Sequence, residues 1–130
     1  MNLSEAIELC RIRKITEIEG YQIWLVSDIL TKALLPLFVK DSTFSNTGIN
    51  IVEGANYLSD PKIIPEREIW ILDYIAEPYW KYIIRHEVVE CNLRNHDGMT
   101  YSEAHNIANK EEWKLRIKDV IETLKNLLRF

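Results

Sequence analysis

The sequence predicts an α+β fold in which a small, mostly antiparallel sheet with an N-terminal hairpin is followed by two C-terminal helices. Two observations lead to this prediction. In the N-terminal part, short runs of alternating or β-branched apolar residues are separated by turn formers, which is typical of strands. From Pro78 onward, apolar residues recur at helical spacing over two long segments. Strands first and helices last is the pattern of an α+β domain.

The first elements are predicted by alternation and by turn residues. The segment CRIRKITEIEGYQIWLVS alternates apolar and polar residues around Glu19 and Gly20, which predicts a β-hairpin. Ser27 or Asp28 can then cap a short helix. Pro36 must kink that helix or end it, because proline lacks an amide hydrogen and clashes with the preceding turn.

A polar segment and two further strands complete the predicted sheet region. Residues 40–50, KDSTFSNTGIN, are rich in turn formers and predict a mobile surface loop. The segments INIVEGANYLSD and REIWILDYI flank a proline-bounded turn, and each predicts a strand. The strand from Glu68 to Ile75 has the stronger signal, because it is apolar and partly β-branched.

The first C-terminal helix is predicted to begin at Pro78, which suits the first turn of a helix. Apolar residues recur at helical spacing through Leu93. The segment from Asn95 to Gly98 then closes the helix, with Gly98 placed to take a positive φ.

The second C-terminal helix is predicted to begin at a T-x-x-E capping box made by Thr100 and Glu103. It runs to about Leu128. Its apolar residues fall on one face and predict a buried stripe, made of Trp113, Ile117, Val120, Ile121, Leu124 and Leu127.

Length and composition indicate one folded domain, residues 1–130. The chain is 47% hydrophobic and 28% charged, and its net charge is −4. No nucleic-acid partner is expected, because the basic residues are scattered among acids and phosphate binding needs them clustered. No membrane partner is expected either, because the longest apolar stretch, Ala33 to Val39, is too short to span a bilayer.

The cysteines and the N-terminus predict a cytoplasmic protein. Cys10 and Cys91 are too few for a disulfide framework, and both are predicted to be free, buried thiols. The N-terminal residues MNLSEAIELC contain no apolar core of signal-peptide length.

A histidine and two acids in the first C-terminal helix predict a metal site. His86 and Glu90 are four residues apart, so they project from the same face of the helix and can hold one ion. Glu87 points about 100° away. In the related H-E-x-x-H motif, the acid at this position acts on the water of a zinc site, which makes Glu87 the predicted general base.

A third ligand must come from elsewhere, and His105 in the next helix is the candidate. Two histidines and one glutamate are a common ligand set for catalytic Zn²⁺, with the fourth position left for water. Glu112 lies two turns after His105 on the same face. It is predicted either to orient a ligand histidine or to replace His105 as a ligand.

Three neighbouring motifs resemble a set of small uncharacterised proteins of phages, archaea and archaeal viruses. The motifs are I-P-x-x-E-I-W-I, H-E-x-x-E and Y-x-x-A-H-x-x-A-x-x-x-E. They cover roughly residues 64–112, and the N-terminal half matches only loosely. The resemblance groups five residues into one site: His86, Glu87, Glu90, His105 and Glu112. A viral source would place the protein in the host cytoplasm.

The same motifs resemble the minimal zincin plan, in which an edge strand precedes the active-site helix. That likeness implies a zincin-like core and a zinc-dependent peptidase activity. It also implies that an extended peptide binds along the strand from Glu68 to Asp73 by strand addition. Tyr101 or Tyr79 would stabilise the oxyanion, and the sequence does not decide between them.

Two other interpretations stay open. The helix pair can belong to a non-catalytic interaction protein that uses the His/Glu cluster as a structural metal site or a hydrogen-bonded polar cluster. A di-metal carboxylate bundle is the weaker alternative, because it needs acids from four helices and only two are predicted. His96 is predicted to be a turn residue and Cys91 a core thiol instead of ligands.

Overall fold

A computed structural model describes residues 1–45 and 52–129 of the chain. The fold divides into two compact units, Met1–Trp80 and Lys81–Phe130, and each is described here by itself. The single domain over residues 1–130 stays a prediction.

In the described part of the first unit there are two helices, four strands and several short 3₁₀ turns. These elements are α1 (Leu3–Cys10), β1 (Arg11–Ile18), β2 (Tyr21–Val26), α2 (Asp28–Leu34), β3 (Gly54–Asn56) and β4 (Glu68–Leu72). The predicted hairpin is confirmed as β1 and β2, which join at Glu19 and Gly20, both at positive φ. Helix α2 begins after Ser27, whose side chain accepts from the Leu30 amide, as its capping role predicts.

Helix α1 was not predicted, although the sequence contains its start signal. Asn2 accepts from the Glu5 amide at 2.9 Å, and the Glu5 carboxylate accepts from the Asn2 amide at 3.2 Å. This reciprocal pair is a capping box, which satisfies two free amides of the first turn. Helix α1 therefore precedes the hairpin, which was predicted to be the first element of the chain.

The sheet has the strand order β1-β2-β4-β3 and is mixed. The outer pairs, β1 with β2 and β3 with β4, are antiparallel, but the central pair of β2 and β4 is parallel. A parallel pair needs a crossover connection, and here the chain from α2 to β3 provides it. The fold is α+β as predicted, with a mixed sheet in place of a mostly antiparallel one.

Strand β4 lies inside the sheet, so the prediction that the strand from Glu68 to Asp73 is an edge strand was wrong. One side of β4 pairs with β2 over Glu68–Leu72, and the other pairs with β3. All five residues of β4 are buried. A peptide cannot add to this strand, because the backbone groups on both sides already form ladder hydrogen bonds.

The predicted surface loop contributes to the core. Phe44 lies in a 3₁₀ turn at Thr43–Ser45, is 1% exposed, and packs with its ring centroid 5.9 Å from that of Trp70. The prediction of a mobile surface loop over residues 40–50 is therefore wrong for Phe44, and residues 46–50 lie outside the described residues. The strand predicted in INIVEGANYLSD is confirmed only as β3, and Ile51 is also outside the described residues.

A buried ion pair ties β1 to β4. The Arg11 guanidinium donates to both carboxylate oxygens of Glu68, and the indole of Trp70 donates to the same carboxylate at 3.0 Å. The Glu68 side chain is 8% exposed and that of Arg11 16%. A buried carboxylate needs such partners, because the loss of hydration is costly unless charge and hydrogen bonds replace it.

The second unit is a pair of helices with a short turn. Helix α3 spans Trp80–His96, starting at the last residue of the first unit, and α4 spans Tyr101–Leu128. Pro78 lies in a 3₁₀ turn immediately before α3 instead of within it. Gly98 has a φ of 63°, as predicted for the turn.

The start of α4 follows the predicted capping signal in part. The Thr100 hydroxyl accepts from the Glu103 amide at 3.3 Å. The Glu103 carboxylate, however, accepts from the Thr100 hydroxyl and not from the backbone amide, so the reciprocal half of the capping box is absent. The prediction of a buried stripe on α4 was wrong, because its six side chains are 45–65% exposed.

Two other sequence predictions have a structural outcome. Cys10 and Cys91 are both buried and do not form a disulfide, as predicted. Within residues 1–45 and 52–129, no helix has the length and apolar character needed to cross a bilayer.

The contribution of the ion pair between Arg11 and Glu68 to the stability of the sheet can be tested by substitution. We expect Arg11→Met to lower the free energy of unfolding by about 3 kcal/mol, because Glu68 keeps a buried charge without its guanidinium. The measurement is urea denaturation followed by circular dichroism. Lys14→Met is the matched control. Its ion pair with Glu17 is exposed, so it should cost less than about 1 kcal/mol. Equal stability of the two variants would contradict this account.

Candidate metal centre

Helix α3 places His86 and Glu90 on one face, one turn apart, as their spacing predicts. Nε2 of His86 lies 3.3 Å from Oε2 of Glu90. Neither side chain has much contact with solvent, since that of His86 is 12% exposed and that of Glu90 is 2% exposed. The pair therefore forms a largely buried wall of the candidate site.

Helix α4 brings the third predicted ligand to the same oxygen. Nδ1 of His105 lies 3.0 Å from Oε2 of Glu90. The two imidazoles meet edge to face, with ring centroids 4.9 Å apart. The His105 side chain is 37% exposed, so the site is open to solvent on the α4 side. His86, Glu90 and His105 thus converge as predicted.

The geometry of these three side chains can hold a metal ion. One ligand atom from each lies within 4.8 Å of the others. Ligands bound to zinc at about 2.0–2.1 Å in a tetrahedron lie about 3.3 Å apart. The two measured separations from Glu90 Oε2, 3.3 and 3.0 Å, are close to that value. Two imidazole nitrogens and a carboxylate oxygen also match the donor set of catalytic zinc sites.

The same distances fit a second arrangement. Glu90 Oε2 is within hydrogen-bond distance of both imidazoles, so a carboxylate accepting from two N–H groups satisfies the geometry without an ion. Which of the two arrangements holds depends on the tautomers of the two rings, because a metal ligand must present an unprotonated nitrogen.

Glu112 lies on the far side of the His86 ring. Its Oε1 is 3.2 Å from Nδ1 of His86, a nitrogen that is buried and lacks a partner of good hydrogen-bond geometry among the described residues. Arg116 in turn donates from Nε to Oε2 of Glu112 at 2.9 Å. Of its two predicted roles, this position favours the orienting one, because Glu112 reaches the ring nitrogen that does not face Glu90.

The site has an excess of negative charge around one imidazole. Burial lowers the pKa of His86. The hydrogen bond to Glu90 and the charges of the surrounding carboxylates raise the pKa more, so the net shift is upward; these carboxylates are Glu87, Glu90 and Glu112. The same field that favours a proton on His86 favours any cation at this position.

Glu87, the predicted general base, is 7% exposed. Its charge raises the pKa of both His86 and Tyr101, so the carboxylate acts on the site electrostatically.

Of the two tyrosines predicted as oxyanion stabilisers, Tyr101 lies at the site. Its ring stacks on that of His105 with centroids 5.2 Å apart, and it is 50% exposed. Burial and the charges of Glu90 and Glu87 raise the pKa of its hydroxyl, which keeps it protonated. Tyr79 belongs to the first unit, and its role stays a prediction.

Two arginines near the site were not predicted. Arg116 contacts Glu112, and the guanidinium of Arg94 lies 5.6 Å from the ring centroid of Tyr101. The first could have been found, because Glu112 and Arg116 are four residues apart on one helix. The second required the turn between α3 and α4, which brings Arg94 back over Tyr101. His96 is exposed at the end of α3 and outside the cluster.

Comparison with known proteins gives no further guide. No protein-family model, no curated protein and no solved structure matches this chain. The resemblance of its motifs to the phage and archaeal proteins therefore stays a prediction.

The cluster gives a test of metal binding. We expect the refolded protein to bind about one Zn²⁺ per chain, and His86→Ala and His105→Ala each to weaken binding at least tenfold, because each removes one of three donors. Isothermal titration calorimetry measures the affinity, and elemental analysis the stoichiometry. His96→Ala is the matched control, since it removes the histidine outside the cluster. Loss of binding in this control alone would place the metal elsewhere.

Proposed function

We propose that the protein is a zinc-dependent metallohydrolase with a peptidase-like activity. The observation that carries this proposal is the convergence of His86, Glu90 and His105, with Glu90 Oε2 at 3.3 and 3.0 Å from the two imidazole nitrogens. Three protein ligands leave a fourth position for water, which is the pattern of catalytic zinc sites. Zinc held by these residues would supply Lewis acidity and would lower the pKa of a water molecule towards neutrality.

The residues around the ligands support a hydrolytic role. Glu87 follows His86 directly, is mostly buried and acts electrostatically on the site. We assign it the general base that takes a proton from water and passes it to the leaving group. Tyr101, whose ring stacks on that of His105 and whose hydroxyl stays protonated, would donate a hydrogen bond to a developing oxyanion.

Substrate must approach from the side of His105 and Tyr101. These are the exposed members of the cluster, at 37% and 50% respectively, whereas the opposite wall of His86 and Glu90 is buried. A peptide partner and a zincin-like core remain part of the proposal. They are supported by the H-E-x-x-E motif and the ligand set, and not by strand addition at β4, which has no open edge.

The alternative is a non-catalytic protein in which the cluster is a structural element. The observation that favours it is the position of Glu90 Oε2, which can accept hydrogen bonds from both histidines without an ion. In that case zinc would leave the melting temperature unchanged. His86→Ala would still destabilise the fold, because Glu90 would lose a partner while staying buried.

The test of the hydrolase is Glu87→Gln. We expect this variant to bind zinc with unchanged affinity. Its kcat/KM should fall by a factor of about 10²–10⁴, because the amide cannot accept the proton. The assay is cleavage of a quenched fluorescent peptide library by the zinc-loaded protein, with the chelated protein as the blank. Glu122→Gln, at an exposed position late in α4, is the matched control and should keep full activity.

The outcomes separate the two functions. Zinc binding without cleavage of any peptide, at a raised melting temperature, would leave a structural metal site. Absence of zinc binding would leave the hydrogen-bonded cluster. Loss of metal in Glu87→Gln would make Glu87 a ligand or a structural partner and would overturn its role as the base.

A further inference from the structure

The second half of α4 carries an exposed apolar surface that the candidate site does not use. We define the apolar stripe as seven side chains that are each 45–85% exposed: Trp113, Ile117, Val120, Ile121, Leu124, Leu127 and Leu128. At 100° per residue they occupy an arc of about 120° along the helix. A continuous apolar surface of several hundred Å² is unusual on a protein that has no partner, and marks an interaction surface.

The apolar stripe is distinct from the buried face of α4. Ala104 and Ala108 are 0% exposed, and Leu115 is half-buried. These three residues lie about 180° around the helix from the centre of the stripe. Helix α4 therefore has one apolar face that packs within the protein and a second that does not.

Charge in this segment is opposite to that of the rest of the chain. Residues 113–129 contain five basic and two acidic residues, a net charge of +3, whereas the whole chain is −4, which leaves −7 for the remainder. Lys114 and Arg116 lie beside the two edges of the stripe, where each forms an ion pair with a glutamate of the preceding turn, Glu111 and Glu112. The other three bases, Lys118, Lys125 and Arg129, lie along one side of the helix, between the stripe and the opposite face. An apolar arc bordered by basic residues, with a tryptophan at one end, is typical of a helix that lies in a membrane interface.

A second copy of the chain fits the apolar stripe less well than an anionic surface does. Self-pairing along the stripe would bring the basic flank of one helix next to the partner helix without an acid to receive it. Of the two acids in the segment, Asp119 already binds Lys81 at 2.7 Å and accepts from the Tyr82 hydroxyl at 2.6 Å. Glu122 lies farther around the helix from the stripe than any of the basic residues, next to Lys118 and Arg129. The charge of this segment complements an anionic surface and not itself.

We propose that the apolar stripe docks on the surface of an anionic phospholipid bilayer. The helix lies in the plane of the interface, with the stripe among the acyl chains and the basic flank at the lipid phosphates, where long basic side chains reach the headgroups. Such a helix does not span the bilayer. This departs from the sequence-based expectation of no membrane partner, which considered only spanning segments. It is independent of metal binding.

The experiment is vesicle flotation of the full chain. We expect binding to vesicles of phosphatidylcholine and phosphatidylglycerol in equal parts, and at least tenfold weaker binding to phosphatidylcholine alone. Binding should fall in about 1 M salt, where the screening length is about 3 Å. The double variant Leu124→Gln, Leu127→Gln should lose at least tenfold in partitioning. Both side chains are more than half exposed, so we expect the variant to stay folded, which circular dichroism checks.

The control is Asn126→Gln, which changes a residue far from the stripe and should bind like the wild type. Several results would overturn the proposal. These are no binding of the wild type to anionic vesicles, equal binding to neutral and anionic vesicles, or unchanged binding of the double variant. A stable dimer that ignores vesicles, and that the double variant dissociates, would show that a second copy covers the stripe.

Discussion

The carboxylate of Glu90 imposes the main constraint on the second unit. It is 2% exposed, and a charge so far from water must have close partners of opposite polarity. Those partners include one imidazole from its own helix and one from the next, at 3.3 and 3.0 Å. Because α3 supplies Glu90 and α4 supplies His105, this oxygen links the two helices at a defined rotation and offset. The outer pairs, such as Arg85 with Glu111, follow from that register.

Local signals explain what the sequence predicted correctly. The Ser27 cap, the positive φ at Gly98 and the start of α4 after Thr100 each depend on a few neighbouring residues. The spacing of His86 and Glu90 places them on one face wherever the helix lies. Helix α1 carries an equally local signal, the capping pair of Asn2 and Glu5, so it could have been predicted in the same way.

The wrong predictions share one physical cause, which is that they depended on distant neighbours. Strand β4 has an apolar sequence whether it lies at an edge or in the middle, and its place depends on the pairing of β2 with it across the chain. Phe44 is buried although its flanking residues are turn formers, because a pocket formed by other segments receives it. Periodicity shows which residues of α4 share a face, but not whether anything covers that face.

The turn between α3 and α4 has a consequence for the order of folding. Every member of the candidate metal centre falls between His86 and Glu112, joined by one tight turn at Gly98, whereas the central pair of the sheet joins Gln22 to Glu68. Closing a short loop loses less chain entropy than closing a long one, and local contacts form faster. We therefore expect the ligand cluster to assemble before the parallel strands β2 and β4 pair.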